Sequence, residues 1–273
     1  MVFGFLFWLF LIGIVVASLQ DLKRREVDNW LNLFLLVASF VFVFYSAIFS
    51  KDVTIIFRAG FALVIMFAFM NLFYYGRVFA GGDAKLLVAM TAFFVGTTFY
   101  LTLTNIGIFL LFLMLSGSVY GLLYSFVLYS KDFKKVNVEM QKVSRGQGWA
   151  LVAGLIVMAL GFVSFIFLVI GIIAVLTMGL YVFAKGLEAV SMIKVVSGKE
   201  LREGDWLVDD IKAKGKTIKA DWDGLSLNDI KLLKGKKKVK IKDGLPFVPA
   251  FLIAFLGYVF LKDYVLGLIA NLI

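Results

Sequence analysis

Stretches of about twenty apolar residues recur along this chain, and each is long enough to cross about 30 Å of hydrocarbon as a helix. That one feature narrows the fold sharply. Hydrocarbon holds no water to satisfy backbone N–H and C=O groups, so a spanning segment is either a helix or a strand of a closed barrel. The runs show none of the apolar–polar alternation of barrel strands. Composition agrees: 62% of residues are hydrophobic and 17% charged, against about half and about a quarter in soluble domains. The expected fold class is an all-α polytopic membrane protein with about eight transmembrane helices (six to eight).

The first span is placed at Val2 to Gln20, a permanent helix because no basic segment precedes it as in a cleaved signal. The second runs from Trp30 to Phe49 and the third from Val53 to Tyr75, with Arg58 near one end and able to snorkel. A glycine-rich turn, Gly76 to Asp83, leads to a fourth span from Ala84 to Phe99, and a fifth covers Asn105 to Tyr129. A basic loop is expected from Ser130 to Gly148. The apolar run Trp149 to Ala184 exceeds one ordinary span and reads as a hairpin, turning at Gly161 to Ser164 or near Gly171. One long tilted helix is the alternative. The last span is Pro246 to Leu261, with Leu266 to Ile273 as a short apolar tail.

Lys23, Arg24 and Arg25 put the first loop in the cytoplasm by the positive-inside rule, which leaves the N-terminus outside. The polar segment 185–244 carries 15 Lys and Arg against 10 Asp and Glu, and falls on the same side. Its alternating stretches Val195 to Lys199 and Val239 to Lys242 predict strands. Three parts follow: a transmembrane catalytic region over 1–184, a small cytoplasmic β-rich insert over 185–244, and a C-terminal span over 245–273. The formal net charge of +10 fits this bias and attraction to anionic lipid headgroups. Nucleic acid is not an expected partner, because the basic runs lack interleaved aromatics for base stacking.

The chain has no Cys and no His. Thiol nucleophiles, Ser-His-Asp triads, and thiolate or imidazole metal sites are excluded. No cofactor or metal is expected. Acid–base chemistry falls to carboxylates, Lys and Tyr. Asp21 ends the first span and Asp83 begins the fourth, so the topology sets both at one boundary of the membrane. A carboxylate at such a place is a functional candidate, and two of them can share a water and a proton. Each alone has a simpler reading: Asp21 pairs with Arg25 one turn on, and Asp83 caps a helix. Gly81 and Gly82, just before Asp83, allow close backbone approach.

Three elements carry a family resemblance. They are Asp21-Leu-Lys-Arg-Arg-Glu-Val-Asp-Asn29, Ala80-Gly-Gly-Asp-Ala-Lys-Leu86 and Gly244-Leu-Pro-Phe-Val-Pro249. Together they resemble the Gly-x-Gly-Asp membrane aspartyl peptidases, in the type IV prepilin and archaeal preflagellin peptidase branch. The resemblance implies an aspartic endopeptidase at the cytoplasmic face of the cell membrane. Its substrate would be a prepilin or preflagellin with a short basic leader, and Asp21 and Asp83 would be the catalytic pair. Ala80 stands at the motif's first Gly and Asp28 where Pro is common. The paired-cysteine loop of bacterial relatives is absent, which favours the archaeal type.

Supporting roles are assigned to Glu26, Asp28, Gly81, Gly82, Lys85, Pro246 and Pro249. Glu26 and Asp28 can attract a basic leader, or simply pair with Arg24 and Arg25. The two prolines can touch substrate, or simply start a helix with fixed φ. Asp83 at a helix start is expected to be the base, and Asp21 at a helix end the acid. A presenilin-like intramembrane protease, a cation transporter and an assembly scaffold are the alternative functions. The sequence leaves the oligomeric state unknown.

Overall fold

The computed structural model describes residues 4–213, 215–221 and 224–272. It is three-quarters helical, with a small strand insert before the last helix. The chain forms two compact units: residues 1–122 with 246–273, and residues 123–245. Val2 and Ile273, the outer limits of the expected first span and tail, lie outside the described residues.

In the first unit, α1 (Phe5–Arg24), α2 (Asn29–Ser50) and α3 (Thr54–Tyr75) are apolar helices joined by tight turns. Arg25 and Lys51 adopt left-handed conformations at the ends of α1 and α2, which close helices by letting a following N–H reach back to a free carbonyl. A short helix α4 (Gly81–Ala89) follows, then a 3₁₀ turn at Thr91–Phe94, then the long α5 (Phe99–Lys131). The last helix, α9 (Val248–Leu272), follows the second unit in the chain, and the expected tail continues it as far as Leu272.

The expected fourth span is the main departure. Seven helices among the described residues are long and apolar enough to cross a membrane: α1, α2, α3, α5, two in the second unit, and α9. The segment 84–99 is not one of them, because α4 is only nine residues long. It nevertheless runs the length of the unit. Gly81 packs beside Tyr74 near the end of α3, whereas the Thr97 carbonyl accepts from Arg58 near its start at 2.6 Å. Those α3 positions are about 24 Å apart at 1.5 Å per residue.

A broken segment is tolerated at membrane depth when protein surrounds it and supplies its hydrogen bonds. Both conditions hold here. Leu86, Leu87, Met90 and Phe94 are fully buried. The Asn105 amide donates to the Phe94 carbonyl at 3.1 Å, and Gly96 N–H donates to the Thr102 hydroxyl at 2.9 Å. Arg58 does not snorkel freely: it also pairs with Asp52 at 3.1 Å.

The second unit holds α6 (Phe133–Ala159), α7 (Phe165–Leu187), α8 (Leu227–Leu233) and five short strands. The expected basic loop is helical instead. The only breaks are at Asp132 and at Gln147, which has φ −125° inside α6. The segment contains no proline, and ion pairs Lys135–Asp132 at 2.8 Å and Lys142–Glu139 at 2.6 Å support its first turns. The hairpin turns at Leu160–Phe162, the first of the two expected places. Gly171 is instead a packing residue, seated against the backbone of Met158.

In the insert, β1 (Ile193–Val196) and β2 (Trp206–Leu207) flank β5 (Val239–Lys242), both antiparallel, and β3 (Ile211–Ala213) pairs with β4 (Lys216–Ile218). The strand expected over 195–199 is shifted toward the N-terminus, because Gly198 closes against the Leu233 carbonyl. Leu201, Leu207, Leu225, Leu233, Val239 and Ile241 form its core. Ser226 and Asp229 make a capping box at the start of α8.

A Cβ on Gly171 would stand 2.3 Å from Met158 backbone atoms, whereas one on Gly179 meets nothing within 4 Å. Gly171→Ala is therefore expected to cost about 1–3 kcal/mol by overpacking the α6–α7 contact. Gly179→Ala should be neutral, and thermal unfolding in detergent compares the two.

Candidate active site

Asp21 occupies the last turn of α1, on the face buried against the rest of the unit. A carboxylate there needs donors, since it is removed from water. One comes from the far end of the chain. Val248 N–H donates to Asp21 Oδ2 at 2.8 Å, across 227 residues. Val248 opens α9, so its N–H is one of the four that a helix start leaves without an intrahelical acceptor.

The Pro-Phe-Val-Pro segment builds that helix start. Pro246 is buried just before it, and Pro249 sits in the first turn, where a missing N–H costs nothing. The Phe247 ring is wedged between Gly117 of α5 and Phe79, with ring centroids 5.3 Å apart. Both prolines thus act on the start of α9.

Asp83 lies in the first turn of α4 and is buried. Its carboxylate turns back toward the backbone N–H of Ala80, and it is close enough to Asp21 for the two charges to repel. Ala80 has φ −71°. The departure from Gly at this position therefore brings no strain, because only a left-handed turn would have needed glycine. Phe79, one residue earlier, also packs on Phe251 of α9 at 5.7 Å. The same aromatic cluster therefore anchors the start of α4 and the start of α9.

The turn between α1 and α2 clasps the first turn of α4. Gly82 lies against Val27: a Cβ there would be 3.5 Å from the Val27 nitrogen. Lys85 Nζ donates to Asn29 Oδ1 at 2.7 Å. Asn32 Nδ2 donates to the Gly82 carbonyl at 3.4 Å. The two aspartate-bearing motifs are thus bound to each other through Val27, Asn29 and Asn32.

Asp28 faces a different task. Arg24 donates to its Oδ2 at 2.8 Å and Trp30 Nε1 at 3.1 Å. The Gln20 side chain bonds both its carboxylate and its backbone N–H, at 3.1 and 3.0 Å. The Arg24 hydrogen bond leads the causes that hold the Asp28 carboxyl below its usual range. These contacts fix the turn. Glu26 is exposed, and Gly81 lies beside Tyr74. Among the described residues no group of three or more His, Cys, Asp or Glu is placed to hold a metal ion.

Sequence reasoning missed Gln20, Asn32, Phe79 and Val248. Gln20 and Asn32 carried a signal, as polar residues on otherwise apolar helices. Val248 acts through its backbone, which no side chain announces.

Comparison with known proteins agrees with the motifs. Residues 8–126 match the type IV leader peptidase family. A preflagellin peptidase of Methanococcus maripaludis is 31% identical over 81 residues, covering 30% of this chain and 35% of that protein. One of Methanocaldococcus jannaschii is 26% identical over 81 residues, covering 30% and 34%. The chain thus spans about a third of the length of these relatives. No solved structure matches it significantly. The resemblance read from the motifs is borne out over the segment that contains both aspartates.

Asp21→Ala leaves the Val248 N–H buried without an acceptor, a loss expected to cost about 1–3 kcal/mol. Asp21→Asn keeps an acceptor oxygen and should cost less. Unfolding in detergent, with hydrogen exchange at the Val248 amide, measures both.

Proposed function

We propose, from the match of residues 8–126 to the type IV leader peptidase family, that this protein is a membrane aspartyl endopeptidase. Its substrate class is a prepilin or preflagellin whose short basic leader precedes a hydrophobic helix. The observation that carries the reading is that Asp21 and Asp83, 62 positions apart, are both buried carboxylates, one in the last turn of α1 and the other in the first turn of the helix that the α1–α2 turn clasps. A buried pair of this kind is stable with one proton between them.

The chemistry follows from that shared proton. The ionised carboxylate takes a proton from water as the water oxygen bonds to the scissile carbonyl carbon. The protonated one donates to the carbonyl oxygen. The tetrahedral intermediate then collapses, the C–N bond breaks, and the amine leaves with a proton from the pair. The reading sets this site at the cytoplasmic face, with Lys23, Arg24 and Arg25 inside, the N-terminus outside, and the insert 185–244 cytoplasmic. A basic leader would meet Glu26 on the exposed side of the turn.

The test is cleavage of a purified preflagellin-type or prepilin-type substrate by the wild type, Asp21→Asn and Asp83→Asn. Cutting at the leader boundary should fall by roughly a thousandfold or more in each variant. Equal cutting by all three would sink the dyad. A wild type that cuts no such substrate would return the intramembrane-protease and transporter readings.

The pH dependence of kcat/KM should be bell-shaped. Activity is lost at low pH when the ionised member is protonated, and at high pH when the second proton leaves. The two limbs belong to the pair and not to either residue. A single-limbed profile would speak against a shared proton.

A further inference from the structure

Asn32 is only 5% exposed. It stands on the first turn of α2 and reaches the first turn of α4. Its Nδ2 meets the Gly82 carbonyl, one residue before Asp83. A carbonyl can only accept, so the orientation of the amide is fixed. Its Oδ1 therefore points elsewhere, and it is buried with no hydrogen-bond partner among the described residues. Buried polar atoms are nearly always paired, and each exception calls for a cause.

Asn105 shows what such a half-made amide means by itself. It too donates through Nδ2, to the Phe94 carbonyl, and its Oδ1 is likewise unpaired. Asn105 lies at the opposite end of the unit and has a structural task, holding the break after α4. What distinguishes Asn32 is its place. It is bonded to the residue preceding one aspartate, and Ser18, one turn before the other, also carries a buried unpaired oxygen.

We propose that Asn32 is a substrate-binding residue of the site: Nδ2 holds the first turn of α4, and Oδ1 accepts a main-chain N–H of an extended peptide lying beside Asp83. The inference rests on the peptidase reading and adds to it. A peptide drawn out of helical form at a site removed from water has main-chain donors that must find acceptors. Oδ1 is an unused acceptor on the residue bonded to Gly82, next to Asp83, and a peptide that reaches it parts the packing over it. Asn32 neither gains nor loses a proton in this role.

The experiment pairs protein variants with ester-substituted substrates. Replacing one main-chain amide by an ester removes a single N–H. With wild type, one ester position near the cleavage site should lower kcat/KM about tenfold. Asn32→Leu should lose a similar factor on the all-amide peptide and show no further loss with that ester. Asn32→Asp, which keeps an acceptor oxygen, and Asn105→Leu, equally buried but remote, should retain the ester sensitivity.

Wild type indifferent to every ester, or Asn32→Leu as sensitive as wild type, overturns the role and leaves the peptidase reading intact. If Asn32→Leu does not fold, loss of ester sensitivity in Asn32→Asp overturns it equally. A wild type that neither binds nor cuts leader-type peptides overturns both.

Discussion

The hydrogen bond from Val248 N–H to Asp21 joins the first helix of the chain to the last, and the architecture of the first unit follows from it. A carboxylate at the buried end of an apolar helix needs a donor that brings no competing charge. A helix start offers unpaired N–H groups aimed along its axis. The cost falls on α9, which must begin at one place and no other. Pro246, Pro249, and the Phe247 ring set against Gly117 fix that place.

The second carboxylate is delivered by different means. Asp83 requires a helix start in the interior of a helical bundle, where an unbroken span would have none. The chain provides one by breaking its fourth crossing. The short α4 begins at Gly81, with Gly82 against Val27 of the turn that follows Asp21, and the crossing is completed by a 3₁₀ turn and an irregular stretch. Asn105, Thr102 and Arg58 supply the hydrogen bonds that a continuous helix would have made for itself. The broken crossing and the buried aspartate are thus one feature.

Hydropathy made the membrane class, most of the spans and the α6–α7 hairpin legible in the sequence, because run length alone decides them. It could not show that 84–99 is broken, since that segment still reads as a mainly apolar run. The break depends on Asn105 and Thr102, which lie in a different helix. Nor did charge reveal that 133–146 is helical: basic residues mark a boundary between phases and leave the backbone state open. The two aspartates and both prolines were readable by position. Their connections were not, because Val248 acts through a backbone N–H and Phe79 through a ring, and neither residue type is diagnostic.

Asp21 at a helix C-terminus and Asp83 at an N-terminus suggest opposite roles, acid and base. The structure gives Asp21 a backbone N–H from a helix start, that of Val248, while Asp83 lies in the first turn of its own helix. The end of α1 is therefore not the only helix terminus that Asp21 feels, and helix polarity no longer separates the pair. What remains to distinguish them is asymmetric support. Asp21 is met by the start of a 25-residue helix. Asp83 rides on a nine-residue helix held by the clasp of Val27, Asn29 and Asn32. Supports of different kind thus hold the two carboxylates: a helix start for Asp21, and the turn between α1 and α2 for the helix that carries Asp83.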